Sequence, residues 1–126
     1  MTEFSKESPS YDLEERTAKF AENIIGSVRS IEIGPVNRRI IDQLVGASGS
    51  IGANYCEATE AESKKDFIHK INIGKKEIKE TKHWLRLLAK ANPERKEELK
   101  VFWKETHELL LIFAKIVRSS RSKVEN

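Results

Sequence analysis

What this chain has little of already narrows its reading. It carries one cysteine, Cys56, in 126 residues, which excludes an internal disulfide framework and a multi-cysteine zinc site. Only nine residues are aromatic, and no apolar run approaches the roughly 18 residues that a membrane helix requires. The opening stretch MTEFSKESPS lacks a basic start followed by an apolar run, so no secretory signal is read there. No segment shows strand alternation bounded by turn residues. The length fits one domain, with room for one core. The expectation is a soluble cytoplasmic protein.

Charge is present in quantity and unevenly spread. The net value is only +3, yet residues 1–63 hold 6 Lys/Arg against 11 Asp/Glu, whereas residues 64–104 hold 13 against 6. So basic a block could attract a polyanion, or pair with the acidic block within or between chains. Composition leaves both open.

Four apolar stripes organise the sequence. Residues 1–11 are polar, contain Pro9 and lack a period, so they are expected to be a disordered tail. Asp12 with Glu15 reads as a helix cap, because a carboxylate can accept from otherwise orphaned backbone N–H groups. Leu13, Thr17, Phe20, Ile24, Val28 and Ile31 follow at intervals of three and four. Gly34-Pro35 ends that segment and opens the next, since proline at a first helical position forfeits no hydrogen bond. There Ile40, Leu44, Ala47, Ile51, Asn54 and Ala58 form one stripe, with Ile41, Val45, Ser48 and Gly52 beside it. Gly46, Gly49 and Gly52 each cost a helix about 1 kcal/mol. The apolar period passes through them in phase, which favours a helix closely approached by a neighbour over a loop.

Ser63 with Asp66 reads as a second cap. Beyond it run Phe67, Ile71, Gly74, Ile78, Thr81, Leu85 and Leu88, closed by Asn92-Pro93. Leu99, Phe102, Thr106, Leu109, Phe113 and Ile116 continue the spacing. Helices are expected over 12–31, 36–61, 64–91 and 94–119, with 121–126 a frayed tail. Four long helices with short connections bury their stripes as an all-α, antiparallel up-down-up-down four-helix bundle over 12–120.

The third helix has two unlike outer sides. One carries Lys65, His69, Lys76, Lys79, His83, Arg86 and Lys90, flanked by Lys75 and Lys82, with no carboxylate in the stripe. Such a row suits a phosphate backbone, with Lys65, Lys76, Lys79, Arg86 and Lys90 as the contacts. It has no interleaved aromatics for base stacking, so low sequence specificity is expected. The competing reading is a solubilising face. The other side carries Ile73, Trp84 and Leu87 outside the core stripe, and Ile41, Val45 and Trp103 are similar surpluses elsewhere. They suggest a self-association surface, unless a wide helix face simply covers more core than its stripe.

Little in the sequence carries catalysis. Glu80-Thr81-Lys82-His83 has the Glu-x-x-His spacing of di-metal bundles, but its ligand positions project away from the core stripe and no second copy exists. Cys56, among small residues, is expected to be a buried inert thiol. His107 is read as a lone surface or boundary residue. Asn54 falls on the inward stripe with Glu57 on its flank, and this pair is read as a polar clamp across the bundle rather than a ligand site. No catalytic residue, metal or cofactor is assigned, and the chain is read as non-enzymatic.

Several of these residues also carry a family likeness. Pro35-Val36-Asn37-Arg38-Arg39-Ile40-Ile41-Asp42-Gln43-Leu44, Ser50-Ile51-Gly52-Ala53-Asn54-Tyr55-Cys56-Glu57-Ala58 and Ser63-Lys64-Lys65-Asp66-Phe67 resemble the four-helix-bundle proteins encoded in intervening sequences of bacterial large-subunit ribosomal RNA genes. The likeness extends through Glu80-Thr81-Lys82-His83-Trp84-Leu85 and spans Tyr11 to about Ser120. Its most specific part is Ser-Ile-x-x-Asn-x-x-Glu, and many members have Gly where this chain has Ala58. The resemblance implies a bundle that assembles as a ring-shaped homopentamer. It also implies kinship with the accessory proteins of diversity-generating retroelements, bundles associated with a reverse transcriptase and nucleic acid. Asn54 and Glu57 match the motif as architecture. The expected partners are therefore further copies of the chain, RNA or DNA, and a nucleic-acid-processing protein, with no membrane. The alternative is a scaffold that recruits a partner polypeptide.

Overall fold

A computed structural model describes the backbone of residues 9–125 and the side-chain surroundings of residues 13–122. It is an all-α four-helix bundle: α1 (Pro9–Val28), α2 (Pro35–Thr59), α3 (Lys64–Ala91) and α4 (Lys96–Glu125), with a 3-10 turn at Pro93–Arg95. Local chemistry sets most of the ends. Gly34 is extended and precedes Pro35 at the start of α2, where the missing N–H costs nothing. The Ser63 side chain accepts from the Asp66 backbone N–H at 3.0 Å, the cap anticipated for α3. Asn92 closes α3, its backbone N–H donating to the Leu88 carbonyl, and the turn begun by Pro93 leads into α4.

Each neighbouring pair of helices runs antiparallel, as the cross-contacts require. Gly52 of α2 faces Thr17 of α1. Glu57 pairs with Lys70, and Asn37 with Asn92, between α2 and α3. Gly74 faces Phe113, and Lys82 meets His107, between α3 and α4. Arg16 reaches Glu105 and Ser27 reaches Glu98, closing α1 on α4. As one residue number rises, its partner's falls between α2 and α3, between α3 and α4 and between α1 and α4; these three antiparallel pairs leave α1 antiparallel to α2 as well, which is the up-down-up-down order.

The core follows the four stripes. Leu13, Phe20, Ile24, Leu44, Ile51, Ile71, Ile78, Leu85, Leu88, Leu99, Leu109 and Phe113 are all buried. Each such side chain contributes about 1.5–3 kcal/mol relative to exposure, against the conformational entropy of ordering the chain. The buried threonines Thr17, Thr81 and Thr106 turn their hydroxyls to carbonyls of their own helices, so no polar group is stranded.

Six expectations are corrected. Asp12 lies inside α1, which already includes Pro9, so it does not mark the helix start. Of the segment expected to be disordered, residues 9–11 are helical and residues 1–8 lie outside the described residues. Asn54 is only half-buried and its amide donates to the Ser50 carbonyl at 2.9 Å, within its own helix rather than across the bundle. Tyr55 takes the core position instead, packing 6.1 Å from the Phe113 ring, because an aromatic ring fills the inter-helix space that a short amide leaves. Cys56 consequently points outward and is exposed, not buried. At the far end, Val117 is buried where Ile116 was expected, since a 3.6-residue helix drifts out of phase with a shorter repeat. The helix itself continues to Glu125, past the last core residue.

Candidate nucleic-acid interface

With Ile71, Gly74, Ile78, Thr81, Leu85 and Leu88 facing the core, helical geometry turns the opposite positions of α3 outward. Lys65, Lys76, Lys79, Arg86 and Lys90 are all exposed, as are His69 and His83. Among the described residues the ion pairs are Arg16 with Glu105 and Glu108, Lys70 with Glu57, and Arg95 with Glu98. None uses the five cations. Two of the five sit differently with respect to the helix dipole. Lys90, in the last turn, is favourably placed. Lys65, in the first turn, lies at the positive end, where a cation is disfavoured; helix stability therefore does not account for it.

The bundle gathers the five unequally. Arg86 and Lys90 join Lys96 and Lys100 of α4 around a groove of about 640 Å³, whereas Lys65, Lys76 and Lys79 lie on α3 outside it. Leu85, Ala89, Pro93 and Leu99 supply the apolar part of its lining, and no carboxylate is among its lining residues. Trp103 completes the groove and is 39% exposed. The Lys82 ammonium stands over the indole, 4.4 Å from the ring centre, and donates toward His107 Nδ1 at 3.3 Å. The His107 ring lies parallel to the indole with centroids 6.3 Å apart. His107 is thus not a lone surface histidine. Trp103 of α4 thus stands in one groove with Arg86 and Lys90 of the α3 stripe.

Sequence reasoning missed Lys96 and Lys100 as members of this cluster. A signal existed: the basic block counted over 64–104 runs through both. A projection of one helix at a time could not show that they meet Arg86 and Lys90 across a helix turn.

The surplus apolar residues divide. Ile41, Val45, Trp84 and Leu87 are half-buried and packed against the edge of the core. Ile73 is half-buried outside that cluster. Trp103 belongs to the groove. On α3, Glu77 is pushed above the ordinary carboxylate range by desolvation and by the neighbouring charge of Glu80. Asn54 and Glu57 take separate partners: Ser50 for the amide, Lys70 at 2.7 Å for the carboxylate. Glu57 in turn holds the Lys70 ammonium above its ordinary value.

For the remaining chemistry, Glu80 and His83 are exposed, and among the described residues no three His, Cys, Asp or Glu side chains are grouped to hold a metal ion. No helix among them is long and apolar enough to cross a membrane.

Residues 11–122 match the family of 23S rRNA-intervening sequence proteins. The chain is also similar to a crystal structure from Bacteroides thetaiotaomicron VPI-5482, described as a protein with unknown function from the S23 ribosomal protein family. The two share 29% identity at a TM-score of 0.73, over 82% of this chain and 96% of that one. No curated protein matches the chain.

Proposed function

The chain belongs to the 23S rRNA-intervening sequence protein family, and we propose that it is a non-enzymatic, cytoplasmic homo-oligomer that binds the RNA or DNA backbone through the basic face of α3. The observation that carries this reading is the row Lys65, Lys76, Lys79, Arg86 and Lys90, exposed and without an ion-pair partner among the described residues. A solubilising surface gains from interspersed signs, whereas a row of one sign concentrates a field that attracts a polyanion. Contacts of this kind release counterions and do not read sequence. Repetition around a ring of copies multiplies them by avidity.

The test is a salt titration of binding to an RNA hairpin and to duplex DNA. Affinity is expected to fall steeply with salt, with the slope of log K against log salt reduced by about 0.9 for each duplex phosphate contact removed. The combined Lys76→Glu, Lys79→Glu and Arg86→Glu variant is expected to lose binding while keeping its helical content. Equal binding by that variant overturns the reading. Retention of a polypeptide with no nuclease-sensitive material would instead select the scaffold alternative.

A further inference from the structure

We infer that the groove between the C-terminal half of α3 and the N-terminal half of α4 takes unpaired bases of a single-stranded nucleic acid, with Trp103 as the stacking surface. This rests on the backbone-binding reading and specifies its ligand. The groove combines two properties that seldom coincide on a solvated surface. Its rim is cationic on both walls, Arg86 and Lys90 from α3 facing Lys96 and Lys100 from α4. Each pair is separated by one helical turn, about 6 Å along its axis. Between them lies apolar surface, with Leu85 and Leu99 beneath it.

A duplex can use the rim but not the interior, because its bases are stacked on one another and its outer surface is phosphate and sugar. A single strand can use both: phosphates on the cations and flat base faces against the apolar surface. Trp103 gives that surface its specificity for rings. Its indole is 39% exposed and oriented by the parallel His107 ring and by Lys82. The Lys82 ammonium is a point charge on a flexible four-carbon stem. A base can displace it from the ring while it stays available to phosphate. An acidic peptide could satisfy the rim alone. The basic row, however, continues along α3 through Lys79 and Lys76 to Lys65, outside the groove, an extent that suits a polyanion tracking the helix.

Equilibrium binding of a labelled twelve-nucleotide oligothymidine and of a twelve-base-pair duplex tests this, with tryptophan emission followed in parallel. The expected results are tighter binding of the single strand, quenching on its addition, and loss of most of that quenching in Trp103→Phe. Trp103→Ala should weaken the single strand about tenfold, within the span found for removing one stacking ring, and leave the duplex unchanged. Trp103→Phe keeps a ring beside Lys82 and His107 and should retain the parent's helical content, so its loss of quenching reads the ring and not the fold. Lys96→Ala with Lys100→Ala provides a second disruption of the groove, expected to weaken the single strand more than the duplex. If both variants bind the single strand as the parent does, while charge reversal along α3 abolishes all binding, the groove inference fails and the backbone reading stands. If neither oligonucleotide nor the RNA hairpin binds, both fail. Displacement of the bound oligothymidine by an acidic peptide at comparable concentration, with no quenching by the strand, also overturns it.

Discussion

At the scale of single residues, two sets of glycines have opposite reasons for being there. A Cβ on Gly74 would stand 2.7 Å from Cε2 of Phe113, and that ring is fully buried with no room to retreat. Overpacking of this kind costs about 1–3 kcal/mol, more than the roughly 1 kcal/mol that alanine returns in a helix. Gly74→Ala should therefore destabilise by about 1 kcal/mol in chemical denaturation. Its combination with Phe113→Leu should cost less than the sum of the two changes. At Gly49, by contrast, an added Cβ would meet nothing within 4 Å, so Gly49→Ala should raise protomer stability by about 1 kcal/mol. The apolar period placed all these glycines in helices, but only the partner helix distinguishes a required gap from a tolerated one. Polar residues follow the same rule. Asn37 and Asn92 exchange amide hydrogen bonds of 3.0 and 2.8 Å across α2 and α3, with Asn92 buried. No sequence pattern marked that pair, because its members are 55 positions apart.

At the scale of elements, the start of α4 is fastened to the end of α1. Arg95 Nε donates to Glu98 at 2.7 Å, its guanidinium also reaches the Ser27 carbonyl, and the Ser27 hydroxyl donates to Glu98. The Arg95 hydrogen bond first, and the Ser27 hydroxyl second, hold the Glu98 carboxyl below the ordinary carboxylate range. A lowered native value means that the unfolded chain takes up the proton first as pH falls. The contribution is thus complete above the unfolded value, about 4.3, and is lost as pH drops through the native one. Glu98→Gln should be less stable than the parent at pH 7 and should converge with it in acid, as thermal melts across pH would report. With the Glu98 side chain 41% exposed, solvent screening limits the difference to less than about 1 kcal/mol. The stripes of α1 and α3 were readable nearly residue by residue, with Phe67 at the start of α3 half-buried rather than buried. The central phase of α2 and the last turns of α4 were not: Tyr55 displaced Asn54, and Val117 displaced Ile116, where two adjacent positions competed for the same face.

At the scale of the whole molecule, the question is what covers the α2–α3 seam. Ile41, Val45, Trp84 and Leu87 bury part of their surface against the protomer's own core, which serves the competing reading of a wide helix face. Each is nonetheless only half-buried, and Ile73, further toward the start of α3, is half-buried without joining the core cluster. Covering the remainder with sister copies is the proposed arrangement. Sedimentation velocity at micromolar concentration should then give an assembly, and Ile73→Lys should shift it toward the protomer with little change in helical content. A parent chain that sediments as a protomer would remove the ring and the avidity argued from it. Four helices, their order and most of their buried stripes were legible in the chain alone, because apolar period and capping chemistry are local and repeat within each segment. Where the charges and rings of different helices meet was settled only by packing. Lys96, Lys100 and Trp103 reach Arg86 and Lys90 only when α4 folds back along α3, and a groove exists only between two helices.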